Sequence, residues 1–112
     1  MSTERTIIQA AEARISIRSP ADILEVIGAT YGADGLLLTE ADLSPEFFDL
    51  RSGLAGEAFQ KFTNYKLRVA LVLADHSAYG QRFGELAYEH ATHPMIRFFN
   101  SAEAALGWLE RG

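Results

Sequence analysis

The sequence predicts an α/β protein: a mostly parallel or mixed sheet of five strands with about four helices, in the order β-β-α-β-α-β-α-β-α. Three observations carry this expectation. Residues 36–39 (LLLT) and 67–74 (LRVALVLA) are continuous apolar runs of strand length, the pattern of strands buried on both faces. Segments with apolar residues at helical spacing separate these runs, and strands that alternate with helices imply parallel pairing through right-handed crossovers. Finally, a chain of 112 residues, 48% hydrophobic and 22% charged, suits one domain (1–112) with a core that needs no staples.

Taken in order, residues 6–11 (TIIQAA) and 13–17 (ARISI) read as two short strands, with Ile15 and Ile17 alternating with Ser16. The short link at Glu12 would force the two to run antiparallel. Ser19-Pro20-Ala21-Asp22 is a helix start: a cap, a proline at the first helical position, and an acid in the first turn near the positive helix end. Ile23, Val26, Ile27 and Tyr31 follow at helical spacing, and Gly32 is the expected stop. After the strand at 36–39, Ser44-Pro45-Glu46 repeats the cap, proline and acid order and predicts one short helical turn.

From Ser52 onward, Leu54, Ala55, Ala58, Phe59 and Phe62 fall on one helical face, with Glu57, Gln60, Lys61 and Asn64 elsewhere. The strand at 67–74 ends at Asp75-His76-Ser77. A helix over 79–90 is expected to turn Phe83, Leu86, Ala87 and His90 inward. Thr92-His93-Pro94 breaks the chain before a strand at 95–99 (MIRFF). Asn100-Ser101-Ala102-Glu103 then opens a last helix carrying Ala105, Leu106, Trp108 and Leu109. Ligands of such sheets bind beyond the carboxyl ends of the strands, where three loops should gather: 39–52, 75–80, and Asn100 with Ser101.

Composition removes several functions. With no cysteine, disulfides, thiolate metal sites and cysteine nucleophiles are excluded. A formal net charge of −5 argues against a broad nucleic-acid surface. The start, Met1-Ser2-Thr3-Glu4-Arg5, is followed by no long apolar segment, and no apolar run approaches the length of a membrane span. A soluble cytoplasmic protein with no nucleic-acid or membrane partner is the expectation.

The densest chemistry lies in Asp49-Leu50-Arg51-Ser52-Gly53-Leu54-Ala55-Gly56-Glu57, at the junction between a buried strand and the main helix. Asp49, Arg51, Ser52, Gly53 and Glu57 would surround a helix N-terminus, whose free amides around residues 53–55 favour an anion. Arg51 would add a bidentate grip on phosphate or carboxylate. Ser52 is also a candidate for phosphorylation, which would bring a charge near −2 to the same place. Three readings stand side by side: Ser52 as a plain cap with Asp49 and Arg51 as a surface pair, an anion or partner site, and covalent chemistry.

Asp75, His76 and Ser77 supply the residue types of a hydrolase triad, but sequence neighbours rarely face one another as a triad requires, and no Gly-x-Ser-x-Gly elbow is present. His76 is instead expected to line the same carboxyl edge as Ser52. His90 and His93 lack a third ligand for zinc. Of the adjacent Phe47 and Phe48, one is expected to stay exposed as a binding anchor or a homodimer contact, since neighbours on a short helix point in different directions.

Two resemblances enter at these residues. The element order resembles the STAS domain of bacterial anti-sigma factor antagonists, in which an Asp-Ser-Ser-Gly-Leu motif opens a helix and the serine before the glycine is phosphorylated. Asp49-Leu50-Arg51-Ser52-Gly53-Leu54 is similar, with one residue more between Asp49 and Ser52 and without the first serine. Over nearly the whole chain, Leu43-Ser44-Pro45-Glu46-Phe47-Phe48 running on to Glu57, with Gln60-Lys61-Phe62 and Asn64-Tyr65, resembles a small bacterial family of proteins of unknown function, DUF4180. That likeness implies no activity and no cofactor. The STAS likeness implies a small regulatory module that binds a protein partner through residues 49–57 and is switched at Ser52. The alternative is a small anionic ligand, bound or weakly turned over at the strand carboxyl edge.

Overall fold

The computed structural model describes residues 5–111. Among them are four strands, all in one parallel sheet of order β1-β2-β3-β4: β1 (Ile7–Gln9), β2 (Gly35–Thr39), β3 (Arg68–Val72) and β4 (Ile96–Phe99). Six helices accompany them: α1 (Ala10–Ala13), α2 (Pro20–Ala29), α3 (Pro45–Phe48), α4 (Leu54–Asn64), α5 (Gln81–Glu89) and α6 (Ala102–Arg111). Two 3-10 turns, Glu40–Asp42 and Leu50–Ser52, lie between β2 and α4.

The α/β class stands, but the expected element count and the expected start of the sheet do not. The sheet has four strands, not five, and six helices replace about four. The expected strand over 13–17 is absent. Ala10-Ala11-Glu12-Ala13 is the best helix-forming run in that part of the chain, and it coils directly off β1 until Arg14 (φ 59°) ends it in the left-handed region. Ile15 and Ile17 are buried as their alternation suggested, yet Ile17 makes only an isolated bridge with Leu43. The expected antiparallel pair at the start is gone with it. β1 pairs in parallel with β2, Ile8 against Leu36, across a connection long enough to hold both α1 and α2. A STAS-like arrangement that begins with an antiparallel strand pair is therefore not what this chain forms.

Residues alternate between the two faces of the sheet, as the pleat requires. Leu36 and Leu38, Val69 and Leu71, Ile96 and Phe98 join the larger core, where α2, α4 and α5 contribute Ile23, Val26, Phe59, Phe62 and Phe83. Strand neighbours joined in sequence by crossovers of one hand place their helices on one face, which accounts for this distribution. Leu37 and Ala70 point the other way and pack on Ala105, Trp108 and Leu109 of α6. Here the sheet and α6 touch closely: a Cβ on Gly35 would lie 2.8 Å from Leu109 Cδ2. Arg68 lies over the Trp108 ring at 4.0 Å and donates to the carbonyls of Trp108 and Leu109, closing the end of α6. Among the described residues no helix is long and apolar enough to cross a membrane.

Candidate functional site

In a wholly parallel sheet every strand delivers its carboxyl end to the same edge, and here those ends are stitched together by hydrogen bonds. Glu40, the first residue after β2, accepts from the Ala74 amide at 2.9 Å through Oε1 and from the Tyr79 hydroxyl through Oε2. The Ala74 amide, then the Tyr79 hydroxyl, hold the Glu40 carboxyl below its ordinary range. In return, Tyr79 is pushed up to about 12, first by its bond to Glu40 and then by burial. The Asn100 amide donates to the Ala74 carbonyl at 3.4 Å, and His76 Nε2 donates to the Phe99 carbonyl at 3.1 Å. The three loops expected at this edge are thus tied into one surface.

The tyrosine ring extends the surface. Tyr79 stacks on Phe48 with centroids 3.7 Å apart and planes at 9°, and both rings meet the edge of buried Phe83. Of the adjacent phenylalanines, Phe47 is fully buried, whereas Phe48 stays partly exposed on this stack. Beside the stack runs a groove of about 630 Å³ lined by Asp49, Leu50, Arg51, Gln81 and Arg82 as well as the two rings. A second hollow of about 1020 Å³ continues from Leu50, Gln81 and Arg82 along α5 to Leu86, Tyr88 and Glu89.

The residues singled out in the sequence part company at this point. Asp49 and Arg51 line the groove; Ser52, Gly53, Glu57 and His76 do not. Asp49 accepts from the Arg51 amide at 3.1 Å and from its Nε at 3.3 Å, and these bonds, the amide first, lower its carboxyl below the usual value. The pair is exposed, so it contributes little to stability. Ser52 Oγ donates to the Glu46 carbonyl at 2.6 Å and accepts from the Leu54 amide at 3.2 Å. It sews α3 to the start of α4, while Gly53 (φ +79°) makes the turn that a side chain would strain. The amides expected to be free around residues 53–55 are partly spent, since Gly53 N–H goes to the Leu50 carbonyl and Leu54 N–H to Ser52. Glu57 is exposed in the first turn of α4.

The nucleophile candidates are similarly committed. Ser77 Oγ gives its proton to Asp75 Oδ1 at 2.6 Å, and the Ser52 proton goes to a carbonyl, so neither hydroxyl is paired with a histidine. The bonds from the Ser77 hydroxyl and amide lower Asp75 as well. Among the described residues no group of three or more histidine, aspartate or glutamate side chains could hold a metal ion. The edge thus carries two cations, Arg51 and Arg82, beside an aromatic stack and a set of hydrogen-bonded polar loops. Sequence reasoning missed Glu40, Tyr79 and Arg82. The expected helix over 79–90 includes Tyr79, whereas α5 begins at Gln81 with Gly80 as its N-cap, which leaves Tyr79 in the loop.

The family described as "Domain of unknown function (DUF4180)" matches residues 2–109. The chain belongs to this family. No curated protein matches the chain, and no solved structure does. Membership of DUF4180 agrees with the likeness carried by residues 43–65 and assigns no activity.

Proposed function

We propose that this DUF4180 chain is a binding module that docks an acidic segment of a partner protein in the groove between residues 48–51 and the start of α5. The observation that carries the reading is the composition of that groove. Arg51, held by Asp49, and Arg82 line it together with the Phe48–Tyr79 stack, two cations to one carboxylate in a chain whose net charge is −5. A carboxylate would sit against the guanidinium groups, and a neighbouring apolar side chain would lie on the exposed part of the platform and on Leu50. Arg82 has no carboxylate partner within ion-pair distance among the described residues, so docking breaks no existing pair there. The same account gives Ser52 a role. A phosphate on its exposed hydroxyl would cost the bond to the Glu46 carbonyl and place about two negative charges beside Arg51, in competition with the partner's acid.

Selection from a random displayed-peptide library on immobilised protein tests the proposal. The expected result is enrichment of peptides with an acid next to an apolar residue. Their affinity should fall about tenfold or more on the Arg51→Glu/Arg82→Glu double variant. Peptides that bind both proteins equally, or no enrichment, would overturn it. Titration of inorganic phosphate is the second arm: saturable binding lost in the same variant, without peptide enrichment, selects a small anionic ligand in place of a protein segment.

A further inference from the structure

A second polar device lies at the other end of α5, outside the groove. His93 Nδ1 faces two backbone amides, those of Met95 at 3.0 Å and Ile96 at 3.1 Å. An amide can only donate, so this nitrogen must carry its lone pair and His93 must be neutral to hold the turn. Pro94, between His93 and Met95, has no N–H to offer, so the His93 ring receives the first two amides that lead into β4. The turn matters to the sheet. The Met95 carbonyl accepts the Val69 amide at 2.8 Å, one of the bonds joining the start of β4 to β3.

The surroundings disfavour a charge on this ring. His93 stacks on His90 with centroids 4.9 Å apart. His90 Nδ1 donates to the Leu86 carbonyl at 2.9 Å and its ring packs on Phe59 of α4 and Phe98 of β4, neither of which carries charge. From β4, the Arg97 guanidinium donates to the carbonyls of His93 and Thr92, each at 3.0 Å, and so brings a permanent cation to the turn. Burial first, then His90 and Arg97, hold the His93 imidazole below its ordinary value.

We propose that His93 is a proton-operated catch: neutral, it fixes the turn from α5 into β4, and protonated, it must leave the two amides and release that turn. Protonation at Nδ1 would set an N–H against two N–H groups and add a cation beside Arg97, so the ring has to swing out. The released segment includes the first residues of β4 and the carboxyl end of α5, whose amino end carries Arg82. The inference rests on the turn itself and not on the identity of what the groove binds.

Amide exchange and histidine titration by NMR on the whole protein test it between pH 7.5 and 5. Histidine titrates in this range, unlike the other side chains at their ordinary values. His93 is expected to titrate below its ordinary value. As it does, protection of the Met95 and Ile96 amides, corrected for the slowing of intrinsic exchange with falling pH, should drop about tenfold relative to Leu71 in β3. His93→Asn keeps an acceptor near the Nδ1 position and cannot titrate, so the same amides should then lose their pH response. The proposal is overturned if His93 titrates at its ordinary value with Met95 and Ile96 equally protected at both pH values, or if His93→Asn keeps the response. Should that variant not fold, the wild-type titration and exchange decide the matter alone.

Discussion

Replacing Tyr79 by phenylalanine separates the two things that tyrosine does. The ring is retained, so the stack on Phe48 and the edge contact with Phe83 survive. Only the hydroxyl on Glu40 is lost. A hydrogen bond to an ionised group contributes about 1.5–3 kcal/mol net, and the partial exposure of both residues brings this towards about 1 kcal/mol. For a chain of 112 residues that corresponds to a fall in melting temperature of roughly 3–6 °C at pH 7. The pH dependence identifies the cause. Glu40 is depressed below 4.5 in the folded state, so its contribution is complete above its unfolded value and is lost as pH falls through the folded one. Tyr79 is raised from 10.0 to about 12, so its contribution is complete below about 10 and is lost as pH rises through about 12. Thermal unfolding followed by circular dichroism should show the gap between wild type and Tyr79→Phe widest at neutral pH and narrower near pH 3. A gap absent at pH 7, or constant down to pH 3, would refute the stabilising role given to the bond between Tyr79 and Glu40.

Three further outcomes follow from the packing and the loop. Gly35→Ala brings a methyl within 2.8 Å of Leu109 Cδ2 and 3.2 Å of Ile7 Cδ1, and because Leu109 is fully buried the cost should be about 1–3 kcal/mol, measured by denaturant midpoint. Ser52→Ala removes the cap on the Leu54 amide and the tie to Glu46, an expected loss of about 0.5–1 kcal/mol in the same assay. Ser52→Asp should leave the fold intact while weakening binding of an acidic peptide by a few-fold, about the worth of one exposed charge; identical binding would remove a charge at Ser52 as a competitor of the partner's acid.

What was legible in the sequence divides along physical lines. The runs at 36–39 and 67–74 announce themselves because strands buried on both faces must be apolar throughout, and they became β2 and β3. The caps at Ser19-Pro20 and Ser44-Pro45 place α2 and α3 correctly, since proline at the first helical position needs nothing from the rest of the chain. The expected strand over 13–17 does not form because the alternation of Ile15, Ser16 and Ile17 describes burial alone. Ile15 and Ile17 are buried as expected, but the helix of Ala10–Ala13 and the remote bridge to Leu43 decide their backbone. In the site, Asp49 and Arg51 were visible because they are two residues apart. The bond between Glu40 and Tyr79 joins residues 39 apart, and only the parallel sheet brings those loops to one edge. Arg82 belongs to the same class: a cation at a helix start has no signature until the groove beside it exists.

The most direct test of the proposed recognition surface is a residue-resolved map of where an acidic ligand binds. Titrating the isotopically labelled protein with an enriched acidic peptide should shift the amides of Phe48, Leu50, Arg51 and Tyr79 through Phe83 together, with one affinity. Shifts gathered instead around the exposed Tyr31 and Tyr65 at the opposite end of the sheet, or left unchanged by Arg82→Glu, would contradict the account.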